Sequence, residues 1–157
     1  MTELIEFIEN NQEKFYRVAY AYVKHQEDAL DIVHDTIVKA LQKHHTLREP
    51  KYMRTWFYRI LINESISFLR KNKKVLSFEE LTDSQIPATE GSESGEYLDL
   101  YDALDRLPIK LKTVILLRFF EDMKIEEVAK ITKSNLSTTK SRIYKALKLL
   151  KADMEVK

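Results

Sequence analysis

The stretch Ile125–Ala152, IEEVAKITKSNLSTTKSRIYKALKLLKA, decides the fold of the C-terminal part of the chain. Its apolar spacing predicts a short helix over Ile125–Ile131, a polar turn at Thr132–Asn135 and a long helix from Leu136. Such a pair is typical of a helix-turn-helix, whose second helix can enter the DNA major groove. We predict that the long helix packs inward through Leu136, Thr139, Ile143, Ala146, Leu147 and Leu150.

The outward side of the long helix is polar and basic near its start. Short hydroxyls let a helix approach DNA closely, Arg can grip a guanine edge, and Lys can reach phosphates. An ordinary solvated surface of a basic amphipathic helix is the alternative at this point. Tyr144 also lies outward, and the candidate DNA-contacting residues are Ser137, Thr138, Lys140, Ser141, Arg142 and Lys145.

Composition supports a helical protein. The 157 residues include only two glycines, Gly91 and Gly95, and no cysteine. Scarce glycine argues against a β-sandwich and a Gly-rich phosphate loop, and the lack of cysteine excludes disulfides and thiolate zinc sites. No apolar run is long enough for a membrane span, so we expect a cytoplasmic protein.

Charge is segregated along the chain, although the net charge is only +1. Residues 48–74 carry +6, residues 75–105 carry −9 and residues 106–157 carry +7. The acidic segment is also rich in Ser, Thr, Gly and Pro, which predicts a flexible linker. We therefore predict an all-α fold with an N-terminal three- to four-helix bundle (1–75), an acidic linker (76–100) and a C-terminal four-helix domain with the helix-turn-helix (101–157).

The N-terminal part is predicted to form at least three helices. The first, Glu3–Val23, has Leu4, Ile8, Phe15, Val18, Ala19 and Tyr22 on its apolar side, and the second has the stripe Leu30, Val33, Ile37, Ala40 and Leu41. The third, about Tyr52–Lys71, is apolar around most of its circumference and should be the most buried.

The third helix also carries a second basic face. Arg59, Asn63, Ser67 and Lys71 recur at intervals of four, and Arg70, Lys73 and Lys74 continue the face. Aromatic residues beside basic ones suit stacking on unpaired bases. For Trp56 and Phe57, however, core packing is the favoured alternative because this helix is apolar.

The second helix carries an acidic stripe. The helix dipole accounts for Asp28 near the N-terminus but not for Asp35, so Asp28, Asp31 and Asp35 suggest a protein partner with basic side chains. The histidines His34, His44 and His45 fit no metal-ligand spacing. We expect no enzymatic activity, no catalytic residues, no metal and no cofactor.

Four stretches resemble the extracytoplasmic function (ECF) group of bacterial sigma-70 family RNA polymerase sigma factors. They are DALDIVHDTIVKAL (Asp28–Leu41), RTWFYRILINESISFLRKNKK (Arg54–Lys74), LDRLPIKLKTVILLRFFEDMKIEEVAKI (Leu104–Ile131) and TTKSRIYKALKLLK (Thr138–Lys151). The resemblance implies a sigma factor that binds core polymerase and directs promoter-specific initiation, with region 2 in 1–75 and region 4 in 101–157.

The resemblance also implies roles for individual residues. Asp28, Asp31, His34 and Asp35 would bind core polymerase. The single-stranded −10 element would be bound and melted by Arg54, Trp56, Arg59, Asn63, Ser67, Arg70, Lys71 and Lys74. The long C-terminal helix would read the −35 duplex. The implied partners are core polymerase, promoter DNA and an anti-sigma factor, with no small-molecule substrate.

Two departures lie in the turn of the helix-turn-helix. Lys133 stands where the family usually has Gly, and Ser134 stands where an apolar residue is usual. A non-Gly residue at positive φ costs roughly 1 kcal/mol, so we expect an altered or strained turn. Two other classes stay open: a one-component repressor, which does not need the second basic face, and a protein-interaction module, which needs neither.

Overall fold

The computed structural model describes residues 1–73 and 96–155, and the regular elements in those ranges are all helices, which confirms the all-α prediction. The chain divides into two compact units, Met1–Val75 and Leu76–Lys157. Most of the predicted linker lies outside the described residues. Within the described ranges, no helix combines the length and the apolar character needed to cross a bilayer.

Three helices pack against one another in the first unit. They are α1 (Thr2–Val23), α2 (Gln26–Gln42) and α3 (Met53–Lys73), and the 3₁₀ turns His44–Thr46 and Pro50–Tyr52 lead from α2 to α3. The core centres on Phe15, whose ring stacks on Phe57 with centroids 4.3 Å apart. The apolar side predicted for the first helix is confirmed, since Leu4, Ile8, Phe15, Val18, Ala19 and Tyr22 are all buried.

A tight junction separates α1 from α2. Lys24 ends α1 in the left-handed conformation at φ 52°, and its backbone N–H donates to the Tyr20 carbonyl. The Nδ1 atom of His25 then accepts a hydrogen bond from the Asp28 backbone N–H at 3.4 Å, which caps α2. Asp28 consequently lies in the first turn of α2, where the helix dipole favours a carboxylate.

The stripe predicted for α2 is partly wrong, since Val33 and Ala40 are buried as predicted but the other three residues are not. The residues that α2 buries are Ala29, Ile32, Val33, Thr36 and Ala40. Leu30 and Leu41 are exposed, and Ile37 is only half-buried. The side that α2 packs against α1 and α3 therefore runs through Ile32 and Thr36 instead of Leu30 and Leu41.

Helix α3 packs on both α1 and α2. Met53, Phe57, Leu61, Ile62 and Leu69 belong to its buried stripe, and Phe57 is fully enclosed. The opposite side stays partly open to solvent, yet over residues 53–72 α3 has the smallest share of exposed residues of the three helices, as predicted. That open side carries the predicted basic face.

The second unit contains four helices in the described range: α4 (Glu96–Asp105), α5 (Ile109–Ile115), α6 (Ile125–Thr132) and α7 (Leu136–Glu155). Helix α4 begins at Glu96, inside the segment 76–100 predicted as linker. Helix α5 is buried along its length except for Lys110 and continues as a π-helical turn over Leu116–Phe120. The Lys112 ammonium donates to the Asp105 carboxylate at 2.7 Å inside this core, so α5 is tied to the end of α4.

The predicted helix-turn-helix forms from α6 and α7. Lys133 ends α6 in the left-handed conformation, with φ 55° and ψ 43°, and the Ser134 backbone N–H donates to the Ala129 carbonyl at 3.0 Å. The turn thus keeps the backbone shape that glycine favours, at the expected cost of positive φ for Lys133. Asn135 caps α7 because its side-chain oxygen accepts from the Thr138 backbone N–H at 2.7 Å.

The inward face predicted for the long helix is partly wrong. Thr139, Ile143 and Ala146 are buried as predicted, and Leu150 is half-buried. Leu136 and Leu147, however, are 43% and 40% exposed. The buried stripe of α7 is therefore narrower than its apolar pattern indicated.

Candidate nucleic-acid and polymerase interfaces

The outward face of α7 is accessible along its first three turns. Ser137, Lys140, Ser141 and Lys145 are exposed, and Thr138 is half-buried beside the cap. Their positions match the predicted face, and their contacts with DNA remain predictions. Tyr144 is 73% exposed on the same side and was not among the predicted contacts, although its outward position was visible in the sequence.

Arg142 does not lie on the outward face as predicted. Its side chain is only 9% exposed, and its Nη1 donates to the Ser134 Oγ at 2.7 Å. Position 142 borders the buried stripe through Thr139 and Ala146, three and four residues away, so helix geometry turns it inward. The sequence prediction assumed that a charged side chain faces solvent.

A basic cleft of about 360 Å³ opens between the π-helical turn, the start of α6 and the start of α7. Within it the Arg118 Nη1 donates to the Met123 carbonyl at 3.3 Å, which steadies the guanidinium. Three cationic side chains and one carboxylate face a single opening, so the cleft suits an anion. Its lining is Arg118, Lys124, Ile125, Glu126, Leu136 and Lys140.

Arg118 and Lys124 were missed by the sequence interpretation. They come from different elements, and only folding brings them beside Lys140. The π-helical turn matters here because it leaves Arg118 half-buried and Phe119 exposed. The positive charge of segment 106–157 was the only available signal, and it did not single out these residues.

The second basic face occupies the open side of α3. Asn63, Arg70 and Lys71 are exposed. Arg54, Trp56, Arg59 and Ser67 are half-buried, and Lys74 lies outside the described residues. Trp56, Arg59, Asn63, Ser67 and Arg70 lie along one side of α3, whereas Arg54 is nine residues from Asn63 and lies on the opposite side of the helix.

Trp56 links α3 to the turn before it. Its indole N–H donates to the Thr46 Oγ1 at 3.1 Å, and that hydroxyl donates to the Lys43 carbonyl at 2.7 Å. Core packing was favoured for both Trp56 and Phe57. Phe57 is fully buried, whereas Trp56 is half-buried with an accessible part. Tyr52 is exposed nearby, with the Lys51 ammonium 5.2 Å from its ring centroid.

The acidic stripe of α2 lies beside exposed apolar side chains. Asp31, His34 and Asp35 are exposed and Asp28 is half-buried. Leu30, Val38 and Leu41 are exposed on the same helix and share a side with His34 at intervals of four, four and seven. A surface of this kind suits a protein partner that offers both apolar and basic groups.

No cluster of three His, Cys, Asp or Glu side chains in residues 1–73 and 96–155 is arranged to hold a metal ion. The described histidines belong to helix ends and exposed positions, as His25 does at the cap of α2.

The family described as "Sigma-70 region 2" matches residues 7–75, and "Sigma-70, region 4" matches residues 97–150. The RNA polymerase sigma factor SigV of Bacillus subtilis (strain 168) is 45% identical over 153 residues, covering 96% of this chain and 90% of the relative.

One further relative and one solved structure are also similar to this chain. The ECF RNA polymerase sigma factor SigX of Bacillus subtilis (strain 168) is 25% identical over 151 residues, with 90% of this chain and 78% of the relative covered. The sigma factor RpoE of Bartonella quintana, solved in complex with the anti-sigma factor NepR, has a similar fold, with a TM-score of 0.79, 22% identity and 99% of each chain covered. The chain thus belongs to the ECF group of sigma-70 family RNA polymerase sigma factors, which direct promoter-specific transcription initiation.

Proposed function

We propose that the two units divide promoter recognition between them. The Met1–Val75 unit binds core RNA polymerase through α2 and the unpaired −10 strand through α3, and the second unit reads the −35 duplex through α7. The observation that carries this assignment is the exposed polar face of α7, which adjoins a basic cleft built from the π-helical turn and the two helices of the helix-turn-helix.

The −35 assignment follows from the chemistry of α7. Lys140 and Lys145 can reach phosphates or base edges, Ser141 permits close approach, and the exposed Tyr144 ring offers an apolar contact to a thymine methyl. The cleft would hold a backbone phosphate between Arg118, Lys124 and Lys140. A phosphate held there would fix the register of α7 in the groove.

The −10 assignment follows from the mixture of groups on α3. A base taken out of the duplex loses its stacking, at a cost of a few kcal/mol that a protein surface must offset. The accessible part of Trp56 and the exposed Tyr52 supply aromatic faces, while Arg70 and Lys71 supply charge for the backbone. Asn63 supplies a side-chain amide that can both donate and accept.

The polymerase assignment rests on α2. Its exposed carboxylates complement a basic partner, and Leu30, Val38 and Leu41 add apolar area that would be buried on docking. We further propose an anti-sigma factor as a partner, by analogy with the Bartonella quintana complex. The proposed role is regulatory, with no enzymatic activity, cofactor or small-molecule substrate, and it is exercised in the cytoplasm.

The test is reconstitution with purified core polymerase. The full chain should associate with core enzyme and confer initiation at specific sites in a library of promoter fragments. A one-component repressor would instead bind duplex DNA without polymerase, and a pure interaction module would bind polymerase without selecting DNA.

A charge reversal tests the polymerase-binding helix. Asp31→Lys with Asp35→Lys should weaken association with core polymerase at least tenfold, about 1.4 kcal/mol, with unchanged helicity. The matched control reverses two exposed acids of α1, Glu9→Lys with Glu13→Lys, and should bind core polymerase normally. Equal loss in both pairs would indicate a net-charge effect and contradict the assignment of α2.

A further inference from the structure

A polar network joins α7 to α6 across the turn between them. Arg142 reaches back eight residues from the second turn of α7, and its Nη1 donates to the Ser134 Oγ at 2.7 Å. The Ser134 hydroxyl lies 3.4 Å from the carbonyl oxygen of Thr132 and donates to it. Thr132 in turn donates from Oγ1 to the Val128 carbonyl of α6 at 2.9 Å.

Because Arg142 is buried, breaking the hydrogen bonds of this network is energetically unfavourable. A guanidinium removed from water needs hydrogen-bond partners, and losing one partner while the group stays buried is strongly unfavourable. To reach a base edge, Arg142 would have to leave Ser134 and expose the space it now fills. The exposed side chains Lys140, Tyr144 and Lys145 reach the outward side without such a rearrangement.

The network also crosses the turn between α6 and α7, which sets how far apart two lysines of the basic cleft lie. Lys124 precedes α6 and Lys140 lies on α7, and both line the basic cleft. Their separation depends on the angle between α6 and α7, which the turn controls. That turn holds Lys133 in the left-handed conformation, which is unfavourable for a residue other than glycine. The hydrogen bond from Arg142 to Ser134 ties α7 to the residue that follows this position.

We propose that Arg142 is a positioning residue for promoter recognition. It holds the turn through Ser134 so that the α7 face and the basic cleft meet one stretch of duplex together. The proposal rests on the proposed reading of the −35 duplex by α7, and it assigns base contact to Tyr144 and Lys145 instead of Arg142.

The experiment uses the full chain bound to core polymerase. The wild-type complex first selects from a promoter library randomised in its −35 and −10 segments, and the preferred −35 sequence then serves as a duplex probe. Ser134→Ala, Arg142→Lys and the double variant are compared on this probe and on its single-base-pair variants. Lys151→Ala removes an exposed cation from the same helix and serves as the charge control.

If Arg142 positions α7, Ser134→Ala and Arg142→Lys each lower the affinity for the preferred duplex about fivefold, and the double variant loses no more than the worse single variant. The order of base preferences stays the same at every position. Lys151→Ala gives a smaller loss that is equal on all sequences.

A base-reading Arg142 gives the opposite result. Ser134→Ala would then release the guanidinium and leave affinity unchanged or raised, and Arg142→Lys would relax the preference at one base pair. Either result overturns the proposal while leaving the −35 assignment in place. A wild-type complex that selects no −35 sequence would contradict the proposed function itself, and this inference with it.

A second variant separates positioning from simple stability. Adding Lys133→Gly to Ser134→Ala places glycine at the left-handed position and should recover the melting temperature of the chain. The proposal expects the affinity for the preferred duplex to stay reduced, because the link to Arg142 is still missing. Full recovery of both properties would assign the network a purely structural role and overturn the proposal.

Discussion

The two basic faces of the molecule are built differently. The α7 face consists of exposed side chains beside an open cleft. A hydrogen bond from Arg142 to Ser134 links α7 to the turn that precedes it. The α3 face is mostly half-buried, and its tryptophan is tied to a neighbouring turn. A regular duplex presents its groove and phosphates to protruding groups, whereas an unpaired base needs a surface that can receive it. The difference between the faces corresponds to the difference between their proposed targets.

The largest expected effect tests whether the two faces are independent. Phe57→Ala removes a fully buried ring that stacks on Phe15, and should destabilise the first unit by about 3–5 kcal/mol. Thermal unfolding followed by circular dichroism should show an early transition, while the −35 duplex is still bound. Phe119→Ala, at an exposed phenylalanine, is the control and should change stability by less than about 0.5 kcal/mol. Loss of duplex binding in step with the early transition would show that the units depend on each other.

The next largest effect is expected on duplex binding when a cation of the basic cleft is removed. Lys124→Ala or Lys140→Ala should weaken binding to the −35 duplex by on the order of 1 kcal/mol and reduce the salt dependence by about one counterion, because a phosphate contact is lost. Affinity for a single-stranded −10 oligonucleotide should not change. Lys130→Ala, an exposed lysine of α6 outside the cleft, is the control. Equal losses on duplex and single strand would remove the distinction between the two faces.

A smaller effect is expected from substituting Trp56 on the α3 face. Trp56→Phe keeps an aromatic ring but removes the donor to Thr46, which should cost about 1 kcal/mol. We expect slower promoter opening, measured by permanganate reactivity of unpaired thymines, with unchanged −35 binding. Thr46→Val removes the same hydrogen bond and also the one from this hydroxyl to the Lys43 carbonyl, so its effect should be at least as large. If Trp56→Phe opens promoters normally and Trp56→Ala does not, the ring acts by stacking alone.

The smallest effect concerns the turn of the second unit. Lys133→Gly should raise stability by about 1 kcal/mol or less, since glycine adopts the left-handed conformation without the steric cost of a Cβ. Differential scanning calorimetry of the full chain should register the gain. Lys24→Gly, at the left-handed end of α1, is a matched change in the first unit. A loss of stability at position 133 would indicate that the lysine side chain makes contacts worth more than the backbone cost.

Sequence periodicity predicted the helices of both units well but their phases less well. In α7 the pattern correctly buried Thr139, Ile143 and Ala146 and misplaced Arg142, because hydropathy cannot show that a guanidinium has a partner in the preceding turn. In α2 the pattern correctly buried Val33 and Ala40 and misplaced Leu30 and Leu41, whereas Ala29, Ile32 and Thr36 complete the buried side. The side that a helix buries depends on how neighbouring helices pack against it. The sequence of one helix alone does not contain that information.

The interfaces were predictable to the extent that their residues lie on one helix. The α3 face and the exposed α7 residues share a helix side and could be found by counting. The cleft could not, because Arg118 and Lys124 join Lys140 only after a π-helical turn and a helix-turn-helix have formed.

The link between Trp56 and Thr46 has an optical consequence. Trp56 is the only tryptophan in the chain, and it lies half-buried on the α3 face with its indole N–H held by a hydroxyl. Its fluorescence therefore comes from one face of one unit. Selective excitation of the indole would follow events on the α3 face, so each native molecule carries an optical reporter for the proposed −10 interface.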